Sequence, residues 1–273
     1  MSNETSGINR GFVSLPNPQD VPFVPLPIEG LPDGVRVKIL SLDVESGACS
    51  LIVEMPANSI REKKGFHSGA LEIFLLEGEL TVGETVLTSR CYTYIPAWMA
   101  YGAIETTNGC TALFFFDKSP DFTPSEESTL KSEIGNHVAY KNYYEEVWDV
   151  SKLRDSFKAP PPLFLKVLKE DKETGARTWI TGVISGHPRY AWEVHSAWEE
   201  GFLLEGEYTI EECLSEGTQT IVYQPGGYFF RPAFIAHAGP QSGPNGYAIW
   251  FFRSPNMLQA RIYDQDECPN LNK

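Results

Sequence analysis

The chain of 273 residues carries 36 acidic and 22 basic side chains, a formal net charge of −14. That balance repels a phosphate backbone, and the densest basic run, Arg61, Lys63 and Lys64, reads as a solvated loop, so nucleic acid is excluded as a partner. No run of about eighteen apolar residues is present, and the polar start MSNETSGINRG lacks the apolar core of a leader peptide, so the expectation is a cytoplasmic protein with no membrane contact.

Length and aromatic content, with 16 Phe, 12 Tyr and 6 Trp, favour two strand-rich domains. Residues 1–33, Pro-rich and without periodicity, read as an extended arm packed over one of them, with a wholly disordered arm as the competing reading. Within 34–120, short β-branched or aromatic runs at 35–42, 48–55, 71–76, 79–82, 92–95 and 111–116 are separated by Gly, Pro and acidic residues, the spacing of a sandwich or barrel. Residues 121–160 change character and read as an inter-domain connection, with 140–153 as a short helix. Residues 161–273 return to the strand pattern. Cys49, Cys91, Cys110, Cys213 and Cys268 form no CxxC pair; they indicate neither a disulfide framework nor a zinc knuckle and read mostly as buried thiols.

The second domain repeats the first. ESGACSLIV from Glu45 aligns with ETGARTWIT from Glu173, and HSGALEIFLLEGE from His67 with HSAWEEGFLLEGE from His195, both at an offset of 128. YTYIPA (92–97) then meets YFFRPA (228–233), and ALFFF from Ala112 meets AIWFF from Ala248, at 136. The eight extra residues fall in 211–220 and are expected to lengthen a hairpin loop.

In the second copy, Glu193-x-His195-xxx-Glu199-xxxxxx-Gly206 and Gly226-xxxxx-Pro232-xxxx-His237-xxx-Gln241 resemble the paired motifs of the cupin superfamily, GxxxxxHxHxxx(x)ExxxxxxG and GxxxxxPxGxxHxxxN. Glu193 replaces the first His, Phe234 the middle Gly and Gln241 the Asn. The resemblance implies an all-β bicupin, two double-stranded β-helix (jelly-roll) barrels in tandem, with one divalent metal per chain in the C-terminal barrel on Glu193, His195, Glu199 and His237. The spacing has its own physical reading: Glu193 and His195, two apart on a strand, share a face, Glu199 can return to it after a loop, and His237 reaches it from a separate strand. Two imidazoles and two carboxylates neutralise a divalent ion, with Fe, Mn, Zn and Ni all accepting the set. Glu193 alternatively serves as an acceptor behind a ligand or as a general base, and Glu193 and Glu199 are the candidate catalytic carboxylates. Trp192, Trp198, Phe230 and Phe234 line an apolar pocket or pack the core. His137 and His187, outside the motifs, read as core residues.

The same offsets place Gly65, His67, Leu71 and Tyr101 at the first copy's ligand positions. One ligand of four survives, so this barrel is expected to act as scaffold, pocket wall or dimer surface, unless a one-residue slip turns Glu72 inward.

The Glu-x-His opening resembles (S)-ureidoglycine aminohydrolase, but Glu199 stands where that family has His and His237 where it has Gln. Against the three-His, one-Glu pattern of quercetinase-like and acireductone-type dioxygenases only Glu193 departs, leaving His195, Glu199 and His237 as a two-His, one-carboxylate set for oxygen activation. The resemblance thus implies a metal-dependent enzyme for a small organic substrate, dioxygenase ahead of hydrolase, lyase or isomerase. A non-catalytic regulatory cupin and a storage protein are the alternatives, which turnover would exclude. A homodimer through sheet edges is expected.

Overall fold

Runs of alternating β-branched and aromatic residues, ended by Gly or Pro, form strands, and the computed structural model describes residues 10–129, 136–149, 163–185, 191–256 and 258–269. Among the described residues the longest helical element is a 3-10 turn at Pro18–Asp20, and no helix is long and apolar enough to cross a membrane. The chain divides into two compact units, Val21–Glu146 and Met1–Asp20 with Val147–Lys273, each a curled antiparallel sheet of the double-stranded β-helix type.

In the unit Val21–Glu146, Leu71–Val82 pairs with Thr85–Thr88, Cys91–Ile95 and Cys110–Phe116, and the last of these pairs with Cys49–Met55. Alternation sends Leu71, Ile73 and Leu75 into the same core as Leu51, Val53, Phe114 and Phe116, each worth about 1.5–3 kcal/mol of burial. The runs expected at 71–76 and 79–82 are one strand that continues through Gly78, whose φ of +85° and close approach to Gly109 O only glycine tolerates.

Residues 121–146, expected as connection, instead complete this unit: Thr123–Pro124 pairs with Gly65–Phe66 and Val138–Asn142 with Cys91–Ile95. The short helix expected at 140–153 is replaced over its described part by the end of that strand and a turn, because edge pairing satisfies the backbone there; 150–160 lie outside the described residues, as do 130–135 and 1–9 of the arm. The arm also divides. Val24–Pro25 pairs with Arg36–Val37 in this unit, whereas Val13–Leu15 adds to Tyr228–Phe230 in the other. Arg61, expected in a solvated loop, donates to Gly30 O and Gly102 O and lies over the rings of Tyr101 and Phe122.

In the second unit, Glu199–Leu214 pairs with Gly217–Tyr223, Tyr228–Arg231, Ala236–His237 and Gly243–Ser254, around a core of Val183, Leu203, Tyr208, Ile210, Tyr223, Phe229, Ala248 and Trp250. The repeat is visible in the registers, since Leu71↔Ile95 in one unit corresponds to Glu199↔Arg231 in the other. Two expectations change. The eight extra residues do not lengthen a loop: both hairpins turn through two residues, Val82↔Thr85 and Leu214↔Gly217, so four residues extend each strand of the second. Further on, Cys110 pairs with Gly78 and Met55, whereas Ala248 pairs with Gly206 and Val183. The last strand is therefore offset by 138 rather than 136, and an even slip keeps every side chain on its face, which conceals it in the alignment. Cys49, Cys91 and Cys110 are buried thiols as expected, but Cys213 and Cys268, 55 residues apart, form a disulfide with Cα atoms 5.7 Å apart. The added ladder carries Cys213 up to the C-terminal segment, which a sequence without a CxxC pair does not reveal.

Candidate metal centre

The strand Trp192–His195 alternates its faces. Trp192 and Val194 pack with Ala236, Cys213, Tyr263 and Cys268, which turns Glu193 and His195 the other way. Ala236–His237 lies between this strand and the extended hairpin, pairing Glu193↔His237 on one side and Glu212↔His237 with Cys213↔Ala236 on the other. One donor atom from each of Glu193, His195 and His237 comes within 4.8 Å of the others. Glu193 Oε1 is 3.2 Å from His237 Nε2 and 3.6 Å from His195 Nε2.

Glu199 does not join that group. Its Oε2 lies 3.9 Å from His237 Nε2 but accepts a 2.6 Å bond from Arg231 Nη1. Arg231 is 2% exposed and also donates through Nε, at 3.0 and 3.2 Å, and through Nη2 to Glu212, which is fully buried. Neither Arg231 nor Glu212 was singled out by the motifs. Arg231 was discernible as the one charge in YFFRPA where the first copy has Ile95; Glu212 lies in the insertion, where no motif reaches.

Glu199 and Glu212 pair with the Arg231 guanidinium, and Glu193 stands against His195 and His237, so the buried cluster sets three carboxylates against one guanidinium. Burial pushes the Glu193 carboxyl up, but hydrogen bonds and charge from His195 and His237 hold it well below the usual carboxylate range. Burial lowers His195, and the bond and charge of Glu193 with the charge of Glu199 more than reverse this, raising it. Burial also opposes the charge on Arg231, which Glu212 and Glu199 restore and strengthen.

A divalent ion fits these residues. It would balance the cluster's charge and would lie among three atoms whose lone pairs otherwise converge. Nδ1–H of His237 donates to Ile235 O at 3.1 Å, so the lone pair of the neutral ring sits on Nε2, aimed at Glu193, the orientation metal-ligating histidines adopt. Among the described residues, His195 Nδ1 is buried with no hydrogen-bond partner.

The four aromatic residues part company. Trp192 is in the core on the far face. Trp198 and Phe230 are buried with tilted rings 5.3 Å apart, on the face of Glu200 and its partners Arg10 and Arg253 rather than that of Glu199, so they do not line a pocket at the ligand cluster. Phe234 is 54% exposed at φ +69°, its N–H bonded to His195 O at 2.9 Å. On the outer face Glu200 accepts from Arg10, Arg253 and the Tyr228 hydroxyl. His137 is half-buried rather than a core residue, because the strand beside it lies at a sheet edge; His187 lies outside the described residues.

In the first unit, His67 donates from Nδ1 to Asp121 O, and its Nε2 accepts from the Tyr101 hydroxyl at 2.8 Å. Tyr101 thus occupies the His237 position and takes up the remaining lone pair. Phe116 and Phe122 enclose the ring. Glu72 does not turn inward; it lies on the opposite face from Leu71 and Ile73 and accepts from the Tyr92 hydroxyl at 2.5 Å.

A family model described as the ChrR cupin-like domain matches residues 15–119. No curated protein matches the sequence. The chain is similar to the solved structure of a putative dioxygenase from Nostoc punctiforme, at 18% identity and a TM-score of 0.77 over 96% of this chain and 91% of that one. It is also similar to oxalate decarboxylase from Lactobacillus farciminis in a formate complex (14% identity, TM-score 0.60, 93% and 89%) and to protein Ylba from E. coli (17%, 0.60, 94% and 96%). At these identities the likeness is one of fold.

Proposed function

Because this chain is a cupin by its fold, with two such barrels in tandem, we propose that it is a divalent-metal-dependent enzyme that acts on a small organic molecule in its C-terminal barrel, as an oxygenase. The observation that carries this is the convergence of Glu193, His195 and His237 within 4.8 Å. Two imidazoles and one carboxylate are the donor set of non-haem iron oxygenases, and manganese, zinc and nickel accept it too. When bound, the ion supplies Lewis acidity and open coordination positions beside one another. Glu193 contributes the anionic donor beside the two imidazoles. The bond from His237 Nδ1 to Ile235 O fixes the ring's tautomer and direction. The neighbouring putative dioxygenase fold supports the reaction class by analogy.

The test is metal analysis by plasma mass spectrometry on untagged protein. Wild type and His67→Ala are expected to hold about one ion per chain, His195→Ala and His237→Ala none. Oxygen uptake with candidate substrates then follows the same pattern. Absence of metal from every form after reconstitution overturns the reading.

A further inference from the structure

Arg231 is clamped at three points of its guanidinium, by Glu199 through Nη1 and by Glu212 through Nε and Nη2, and its Cζ lies 4.2 Å from the ring centre of Phe229. It has no freedom to follow Glu199 elsewhere, and moving Glu199 would leave a buried N–H without its acceptor. The ion pair Glu199↔Arg231 occupies the register that holds Leu71↔Ile95 in the other barrel. Glu212 stands on the extension that the other hairpin lacks. Both devices therefore occur in the barrel that has the ligand cluster.

Resting on the metal-centre reading above, we infer that Arg231, backed by Glu212, is a positioning residue that holds Glu199 off the ion, so that three protein donors grip it rather than the four that the motif spacing suggests. An octahedral ion then keeps three positions open. That number suits a chelating substrate with two oxygen donors together with one further small reactant; four protein donors would leave room for only one of these arrangements at a time.

The experiment titrates metal-free protein with Co(II), reading affinity by chelator competition and coordination by the visible spectrum. Three variants accompany wild type: Glu199→Gln, Arg231→Met with Glu212→Met, and these three changes together. The Met pair removes opposite charges and leaves an apolar contact, which buried ion pairs tolerate. Glu199→Gln is expected to keep the wild-type spectrum and an affinity within about tenfold of wild type. The Met pair releases Glu199 to the ion, so affinity rises by about tenfold or more and the spectrum changes; adding Glu199→Gln reverses both. A loss above about a hundredfold in Glu199→Gln alone, or a folded Met-pair variant with the wild-type spectrum, overturns the inference. Should the Met pair fail to fold, Glu199→Gln decides by itself. Wild type that takes up no more Co(II) than His195→Ala overturns the metal centre itself, which distinguishes that failure from this one.

Discussion

His67 gives the first barrel a measurable sensitivity to acid. Its side chain is 3% exposed, with one nitrogen donating to a carbonyl and the other accepting from a hydroxyl, an arrangement that suits the neutral ring. Burial lowers its pKa from 6.5 to about 4, despite the bond to Asp121 O and the charge of Asp121. Between these values the unfolded chain binds the proton that the folded one refuses, so stability is full above pH 6.5 and is lost as pH falls towards 4. The difference is worth about 3 kcal/mol. Urea unfolding across this range is followed by fluorine NMR of 5-fluorotryptophan, in which Trp98, the sole tryptophan of Val21–Glu146, reports on this unit. Carboxylates titrate in the same window, so the comparison is with His67→Gln, which does not titrate at this position. Wild type should lose about 3 kcal/mol more than the variant on acidification. Equal losses in the two would refute the argument.

Two other expectations concern the C-terminal unit. Replacing Cys213 and Cys268 with Ser frees a 55-residue loop in the unfolded chain and should lower stability by about 4 kcal/mol; an unchanged urea midpoint, or free thiols at both positions in unreduced protein by mass spectrometry, contradicts the link. Phe234→Gly removes a left-handed backbone strain of about 1–2 kcal/mol from an exposed residue, partly offset by glycine's larger unfolded entropy. A gain of about 0.5–1 kcal/mol in calorimetry is expected, and a loss above about 1 kcal/mol would show that the ring packs in the fold.

The barrel strands and the ligand strand were legible because period-two patterning survives in both copies, and because HSAWEEGFLLEGE repeats HSGALEIFLLEGE with its glycine at the bulge. The two-residue slip of the last strand was not, since ALFFF and AIWFF present the same alternation in either register. Motif spacing drew attention to Glu193, His195, Glu199 and His237 but treated a carboxylate as a donor whatever stood next to it. Whether Glu199 faces an ion or a guanidinium depends on Arg231, 32 residues away, and on Glu212 in an insertion with no counterpart to align. Among the aromatic positions, Trp192 was offered as a pocket residue because it adjoins Glu193 in sequence, yet strand alternation turns it to the other face, and the exposure of Phe234 depends on a backbone conformation that its residue type disfavours.

The strand Val13–Leu15 has a consequence for biosynthesis. Its partners, Tyr228–Phe230, leave the ribosome more than two hundred residues later, about 10–40 s at ordinary elongation rates. The barrel of Val21–Glu146 is complete in sequence well before then and can fold during translation, while the leading segment waits unpaired. Severing the gene between the repeats would therefore strand the second barrel's edge on the wrong polypeptide; a stable C-terminal half requires its first twenty residues to be grafted back or supplied in trans.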